Sequence, residues 1–226
     1  MKLLTRGNSK LGSIAAYSHP VISSCPGRSK LCESVCYADR KFMKWHQPRY
    51  QKNKYVFDSD LHEWVKQIQD DLNKTRQSVV RIHVSGDFDN ARYIHAWNKI
   101  VKNNPNKHFF AYTRSWRKVH LLPALLKLSA LNNFTLNLSC DKETGIPSTL
   151  ARKHKLRLCY MAMNDSDIPK KSVGIVFRVT HDTIVKNMNG QVCPYETGLP
   201  NITHFVRCDK CKLCIKKPVR REATYV

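Results

Sequence analysis

The strongest constraint on the fold is a rhythm between Val79 and Phe205, where short apolar runs alternate with stretches of helical periodicity. Val79-Val80-Arg81-Ile82-His83-Val84 is short and β-branched, and Ser85-Gly86-Asp87-Phe88 breaks it. Asn90 to Asn103 then carries Ile94, Trp97, Ile100 and Val101 at helical spacing before Pro105. The pattern recurs with His108 to Thr113 as strand, Leu121 to Leu131 as helix, Phe134 to Ser139 as strand and Pro147 to His154 as helix. Leu156 to Met161 and Val173 to Thr180 read as further strands. Upstream, Leu61, Trp64, Val65, Ile68 and Leu72 form one helical stripe behind a cap at Asp58 to Asp60. Strands alternating with helices of this length imply right-handed βαβ units and a parallel sheet.

The fold class is therefore α/β. Six or seven strands suit a small or incomplete TIM-like (β/α) barrel better than a doubly wound sheet, and neither GxGxxG nor GxxxxGK[ST] occurs. The reading is one domain over 1–226. It divides into an N-terminal cysteine-containing segment (1–58), a β/α core (59–192) and a C-terminal cysteine-rich metal-binding segment (193–226).

Charge points to the partner. The chain has 39 Lys and Arg against 17 Asp and Glu, a formal charge of +22, while 42% hydrophobic residues exclude a disordered or fibrous chain. An excess of cation on that scale opposes compaction and points to a polyanion, with nucleic acid first and an anionic membrane surface second. No apolar run reaches the roughly 18–20 residues of a membrane span, and residues 1–12 lack a signal-peptide core. A soluble, cytoplasmic protein is expected.

In parallel α/β folds chemistry sits at the carboxyl ends of the strands. Those ends are Ser85-Gly86-Asp87-Phe88, Tyr112-Thr113-Arg114-Ser115-Trp116, Ser139-Cys140-Asp141 and Thr180-His181-Asp182. Each Asp can serve as a helix cap, but Asp87 and Asp141 with Arg114 between them also make an acid and nucleophile pair. Asp182 can substitute for either. Ser85, Gly86, Phe88, Tyr112, Arg114 and Trp116 are the candidate substrate contacts. Aromatics interleave with cations at Arg114 to Lys118 and at Tyr37 to His46, including Trp45, which suits base stacking beside phosphate contacts or plain packing.

Nine cysteines cluster towards both ends of the chain, and in a reducing compartment such clusters read as metal sites. Cys208, Cys211 and Cys214 stand at three-residue spacing, and Cys193-Pro194 or His204 supplies a fourth ligand. A closed set of this kind is structural, with zinc expected ahead of an iron–sulfur cluster. Cys25, Cys32 and Cys36 have CxxxxxxC and CxxxC spacing, unlike the CxxxCxxC of radical enzymes that cleave S-adenosylmethionine. They suit a three-thiolate cluster with one free iron, zinc completed by His19 or His46, or buried reduced thiols. Cys140 and Cys159 lie in strand-like runs and read as core.

Lys10-Leu11-Gly12, Cys25-Pro26, Cys32, Cys36-Tyr37-Ala38, Val84 to Phe88, Tyr112 to Ser115 and Cys193-Pro194 with the closing cysteines resemble, in order, the phage gene product 88 family. More distantly, the layout resembles the tRNA-guanine transglycosylase superfamily, which includes phage enzymes that place 7-deazaguanines in DNA. That resemblance implies a TIM barrel, with Asp141 attacking the sugar carbon as guanine leaves and Asp87 managing the base and its proton, or the reverse. It also implies zinc near the C-terminus, a 7-deazaguanine base as small substrate, and DNA ahead of tRNA as polymer. The zinc site there ends in a histidine, and none follows Cys214. Three functions thus stand at the level of sequence: a DNA-guanine transglycosylase, a radical-type iron–sulfur enzyme acting on nucleic acid, and a non-catalytic, metal-stabilised nucleic-acid-binding protein.

Overall fold

The computed structural model describes residues 2–169, 174–179, 191–196 and 206–218. Eight strands form one sheet in sequential order: β1 (Thr5–Arg6), β2 (Ala15–Tyr17), β3 (Val79–Ile82), β4 (His108–Thr113), β5 (Phe134–Cys140), β6 (Arg157–Ala162), β7 (Ile175–Arg178) and β8 (Gln191–Val192). β1 is antiparallel to β2, and every later pairing is parallel. Among the described residues β1 and β8 are the two edges, so the sheet is open.

Helices fill the crossovers. α1 (Lys30–Ser34), α2 (Lys41–Lys44), α3 (Gln47–Ser59) and α4 (Leu61–Lys74) lie between β2 and β3. α5 (Ala91–Lys102), α6 (Leu122–Ser129) and α7 (Ser148–His154) follow β3, β4 and β5, and α8 (Cys208–Cys211) comes after the last strand. Local chemistry sets their ends. The Asp60 carboxylate accepts from the His62 and Glu63 backbone N–H groups to start α4, and the Asn90 side chain accepts from Tyr93 N to start α5. α7 stops at Lys155, whose left-handed φ of 53° reverses the chain into β6.

Side chains alternate across the strands, and the two faces have different covers. Val80, Ile82, Phe109, Ala111, Leu136 and Leu138 join Trp64, Ile68, Trp97 and Leu125 in one core beneath the crossover helices. Phe110 and Tyr112 point the other way, towards Leu11, Ile14, Met43 and Ile215. The segment 206–218 lies along that second face. Thr135 Oγ1 donates to Ile215 O at 2.6 Å, Asn137 Nδ2 to Cys214 O at 3.1 Å and Arg157 Nη1 to Lys216 O at 2.8 Å. Polar residues on strands that would otherwise meet water thus satisfy the carbonyls of a non-regular segment.

The sequence expectations for β3 to β6 and for α4 to α7 match these elements to within a few residues, and Cys140 and Cys159 are buried as expected. β7 falls inside Val173 to Thr180, whose first and last residues lie outside the described ones. The sheet begins earlier than expected: Ala15–Tyr17 is its first parallel strand, although it lies in the stretch read as a separate N-terminal segment. No helix among the described residues is long and apolar enough to cross a membrane.

Candidate functional site

The turns after β3, β4 and β5 form one continuous structure at the carboxyl ends of the strands. Gly86 has a left-handed φ of 81°, and a Cβ there would strike Ser24 and His19, so the turn requires glycine. Asp87, next in sequence, accepts from Thr113 Oγ1 (2.7 Å) and Phe88 N (2.7 Å) on Oδ1, and from Arg114 N (2.8 Å) and Ser115 N (3.2 Å) on Oδ2. Burial raises its pKa, and these hydrogen bonds oppose the rise without cancelling it.

Asp141 has no exposed surface. Its Oδ2 accepts from Arg114 Nη1 (2.6 Å) and Ser29 Oγ (2.7 Å), and its Oδ1 from the backbone N–H groups of Glu143 and Thr144, both at 2.9 Å. Burial alone would lift this carboxyl, but the Ser29 hydroxyl, the Arg114 guanidinium and the backbone donors outweigh it and hold its pKa below the ordinary value. Arg114 therefore touches both acids, one through its backbone and one through its side chain.

The loop between β2 and α3 is fastened onto these turns at five places. Asp87 N donates to Ser24 O at 3.1 Å, and Arg117 Nη1 donates to Gly27 O and Arg28 O at 2.9 and 3.0 Å. A Cβ on Gly27 would fall 2.0 Å from Arg114 O, so the two backbones are in direct contact. Ser29 Oγ caps α1 by accepting from Cys32 N while donating to Asp141, and Glu143 accepts from Lys30 N and Leu31 N at the same helix start.

This fastening carries Cys25, Cys32 and Cys36, all half-buried and unpaired, to the strand ends. Burial and then the nearby Asp87 push the Cys25 thiol up to about 12, with Cys32 and Cys36 adding to the shift. Burial raises Cys32 as well, against Arg114, while Cys36, Asp141 and Asp87 act in the same sense as burial. Cys25 and Cys32 thus lie within electrostatic reach of Asp87 and of Cys36, and Cys32 also of Arg114 and Asp141, a convergence that spacing along the chain does not reveal. Two buried hydroxyls at these turns, Ser85 Oγ and Ser115 Oγ, have no hydrogen-bond partner among the described residues. An unsatisfied buried group costs about 1–3 kcal/mol, which a bound ligand offsets.

Other expected contacts have different surroundings. Phe88 is fully buried, edge-on to His83 at 4.7 Å, and belongs to the helix-side core. Trp116 donates Nε1 to Ser139 O at 2.9 Å and packs against two apolar clusters, so it anchors the turn. Tyr112 points to the opposite face, under the Arg81 guanidinium at 4.9 Å. His19 is buried, stacked on Tyr93 at 4.5 Å with Nε2 bonded to the Tyr17 hydroxyl, whereas His46 is exposed and stacks on Tyr50. Trp45 is 85% exposed and projects beside Lys44. Asp182 and His204 lie outside the described residues.

Cys193, Cys208, Cys211 and Cys214 line a single cavity on the second face of the sheet, together with Phe110, Ile175 and Ile215. Among the described residues, no group of three or more His, Cys, Asp or Glu side chains is placed to hold a metal ion. The two cysteine groups lie in different places: the N-terminal loop is bonded to the turns at the strand ends, and the C-terminal four line this cavity on the sheet face.

Fold and site together define a sequentially ordered α/β protein with a thiol-bearing loop clamped over its strand ends. The chain belongs to the Gene product 88 family, whose model matches residues 2–217. It is 30% identical over 131 residues to the Gene 88 protein of Mycobacterium phage L5 and 28% identical over 131 residues to that of Mycobacterium phage D29. Each match covers 53% of this chain and 53% of the relative, so it spans about half the length of the curated relatives. No solved structure matches.

Proposed function

We propose that the chain is a radical-type iron–sulfur enzyme acting on nucleic acid, with Cys25, Cys32 and Cys36 as the three ligands of a cluster that keeps one iron open. The observation that carries this reading is the clamping of the cysteine loop onto three successive strand ends, where sheets of this kind place their chemistry. The finer architecture that accompanies it is an incomplete (β/α) barrel, with sequential strands and an open edge.

The donors are of the right chemical kind, three unpaired thiols within electrostatic reach of one another. Iron–sulfur clusters are held by thiolates, and three of them leave one coordination position for an outside ligand. When bound, the cluster supplies single electrons at that position. The chain's own residues provide the rest. Asp87, within electrostatic reach of Cys25, ties the turns after β3 and β4 together, while the Arg114–Asp141 pair and Ser29 keep the floor and the cysteine loop in register. Ser85 Oγ and Ser115 Oγ offer free polar atoms nearby. The +22 charge holds the polyanion, and exposed Trp45 beside Lys44 offers a stacking surface at its edge.

Base exchange through an aspartate nucleophile makes a different demand, because one carboxylate must be free to attack. All four carboxylate oxygens of Asp87 and Asp141 accept two hydrogen bonds each, and Asp141 is also ion-paired. That saturation favours a positioning role for both acids.

The test is cleavage of S-adenosylmethionine by anaerobically purified, chemically reduced protein. Formation of 5′-deoxyadenosine, lost in a C25A/C32A/C36A variant, is the expected result. A colourless protein that instead incorporates labelled guanine into DNA, and loses that ability in D87A and D141A, overturns the reading in favour of base exchange.

A further inference from the structure

We propose that Cys193, Cys208, Cys211 and Cys214 hold a second, fully thiolate-ligated [4Fe–4S] cluster on the sheet face opposite the helices, in place of the structural zinc that the closed cysteine set suggests. The inference does not rest on the function proposed for the N-terminal cysteines.

Ligand spacing is the first argument. Structural zinc sites are assembled from pairs of ligands two to four residues apart. Here three cysteines follow one another at intervals of two intervening residues, and the remote fourth is followed by proline, the arrangement of the ferredoxin type of cubane ligation. The backbone enforces it. Cys208 and Cys211 occupy the single turn of α8, and Lys212, with a left-handed φ of 58°, turns the chain so that Cys214 comes back to the same side. Cys208 N donates to Lys10 O at 2.9 Å, which ties the turn to the loop before β2.

The second argument is the cavity. The four cysteines line one space walled by Phe110, Ile175, Leu213 and Ile215, a low-dielectric setting in which thiolates need compensation. Compensation is present. Lys10, ion-paired with Glu196, lies within electrostatic reach of Cys193 and Cys208; Arg81, over the Tyr112 ring, lies within reach of Cys208 and Cys214; and Arg157, bonded to Lys216 O, lies within reach of Cys214. Tyr112 packs against the same face as Cys214, and polar contacts of this kind tune a cluster's potential.

The experiment is iron, acid-labile sulfide and zinc per chain in protein purified without oxygen, for the unmodified chain and for C25A/C32A/C36A. Two clusters predict about eight irons and no zinc in the unmodified chain, falling to about four in the variant. About four irons with one zinc overturns this inference and leaves the N-terminal reading standing. Zinc with no iron overturns both. About four irons and no zinc is decided by the variant: iron retained supports the C-terminal cluster, and iron lost refutes it. Should the variant fail to fold, C36A alone is measured in its place, since removing one ligand of three perturbs only the N-terminal site.

Discussion

The two cysteine groups occupy opposite kinds of surroundings. Cys25, Cys32 and Cys36 form an incomplete ligand set among carboxylates, an arginine and unsatisfied hydroxyls at the strand ends. Cys193, Cys208, Cys211 and Cys214 form a complete set in an apolar cavity against the sheet face. An incomplete ligand set leaves a position open to exchange, whereas a complete set closes it. On the two proposals above, the same residue type serves chemistry at one place and a closed centre at the other, and the surrounding side chains decide which.

The contrast can be broken most forcefully at Arg114, which belongs to the polar mouth alone. Arg114→Ala strands the fully buried Asp141 carboxylate, a loss of about 3–5 kcal/mol in chemical denaturation, whereas removing a buried pair in favour of apolar packing is often neutral. A change below about 1 kcal/mol would show that water reaches this site and that the mouth is not preorganised.

Asp141 gives a signature in pH. Its folded pKa lies below the ordinary carboxyl value, so its stabilisation is complete above the unfolded pKa of about 3.9 and is lost as pH falls through the folded value. The thermal midpoint of the unmodified chain therefore falls with acid below about pH 4, and Asp141→Asn flattens part of that fall. Asp87, with a raised folded pKa, has the opposite sign: its carboxylate destabilises above that value, and the penalty is relieved as pH falls. An equal acid slope in the unmodified chain and in Asp141→Asn would remove the distinction between the two acids.

The smallest effect belongs to the surface. Trp45→Ala leaves stability within about 0.5 kcal/mol, because the ring is 85% exposed. It weakens binding of a single-stranded oligonucleotide by about 1–3 kcal/mol, measured by fluorescence titration. Unchanged affinity would move the nucleic-acid contact to another part of the basic surface.

The core of the fold was legible because strands β3 to β6 and helices α4 to α7 each bury a regular face, which writes a period of 2 or 3.6 into the sequence. β2 was not, since three residues are too short for a period, and neither was α3, whose buried positions Tyr50, Asn53 and Phe57 include a polar residue. Asp87 and Asp141 were recognisable at strand ends, but not their saturation, which depends on Ser29, Thr113 and Arg114 from other parts of the chain. The same holds for Cys25 and Cys32. Their neighbours come from three separate turns, and no local pattern records contacts made at that distance in sequence. Tyr112 and Phe88 show the limit from the other side. Both were adjacent to the expected site by position, and strand alternation and the turn at Gly86 direct them elsewhere.

The central claim, that the N-terminal trio holds an iron–sulfur cluster at the strand ends, is tested most directly by visible absorption and iron content of anaerobically purified protein with and without C25A/C32A/C36A. A coloured protein whose variant loses about four irons per chain while keeping its far-ultraviolet circular dichroism is the expected result. Equal iron in both proteins, or none in either, would contradict it.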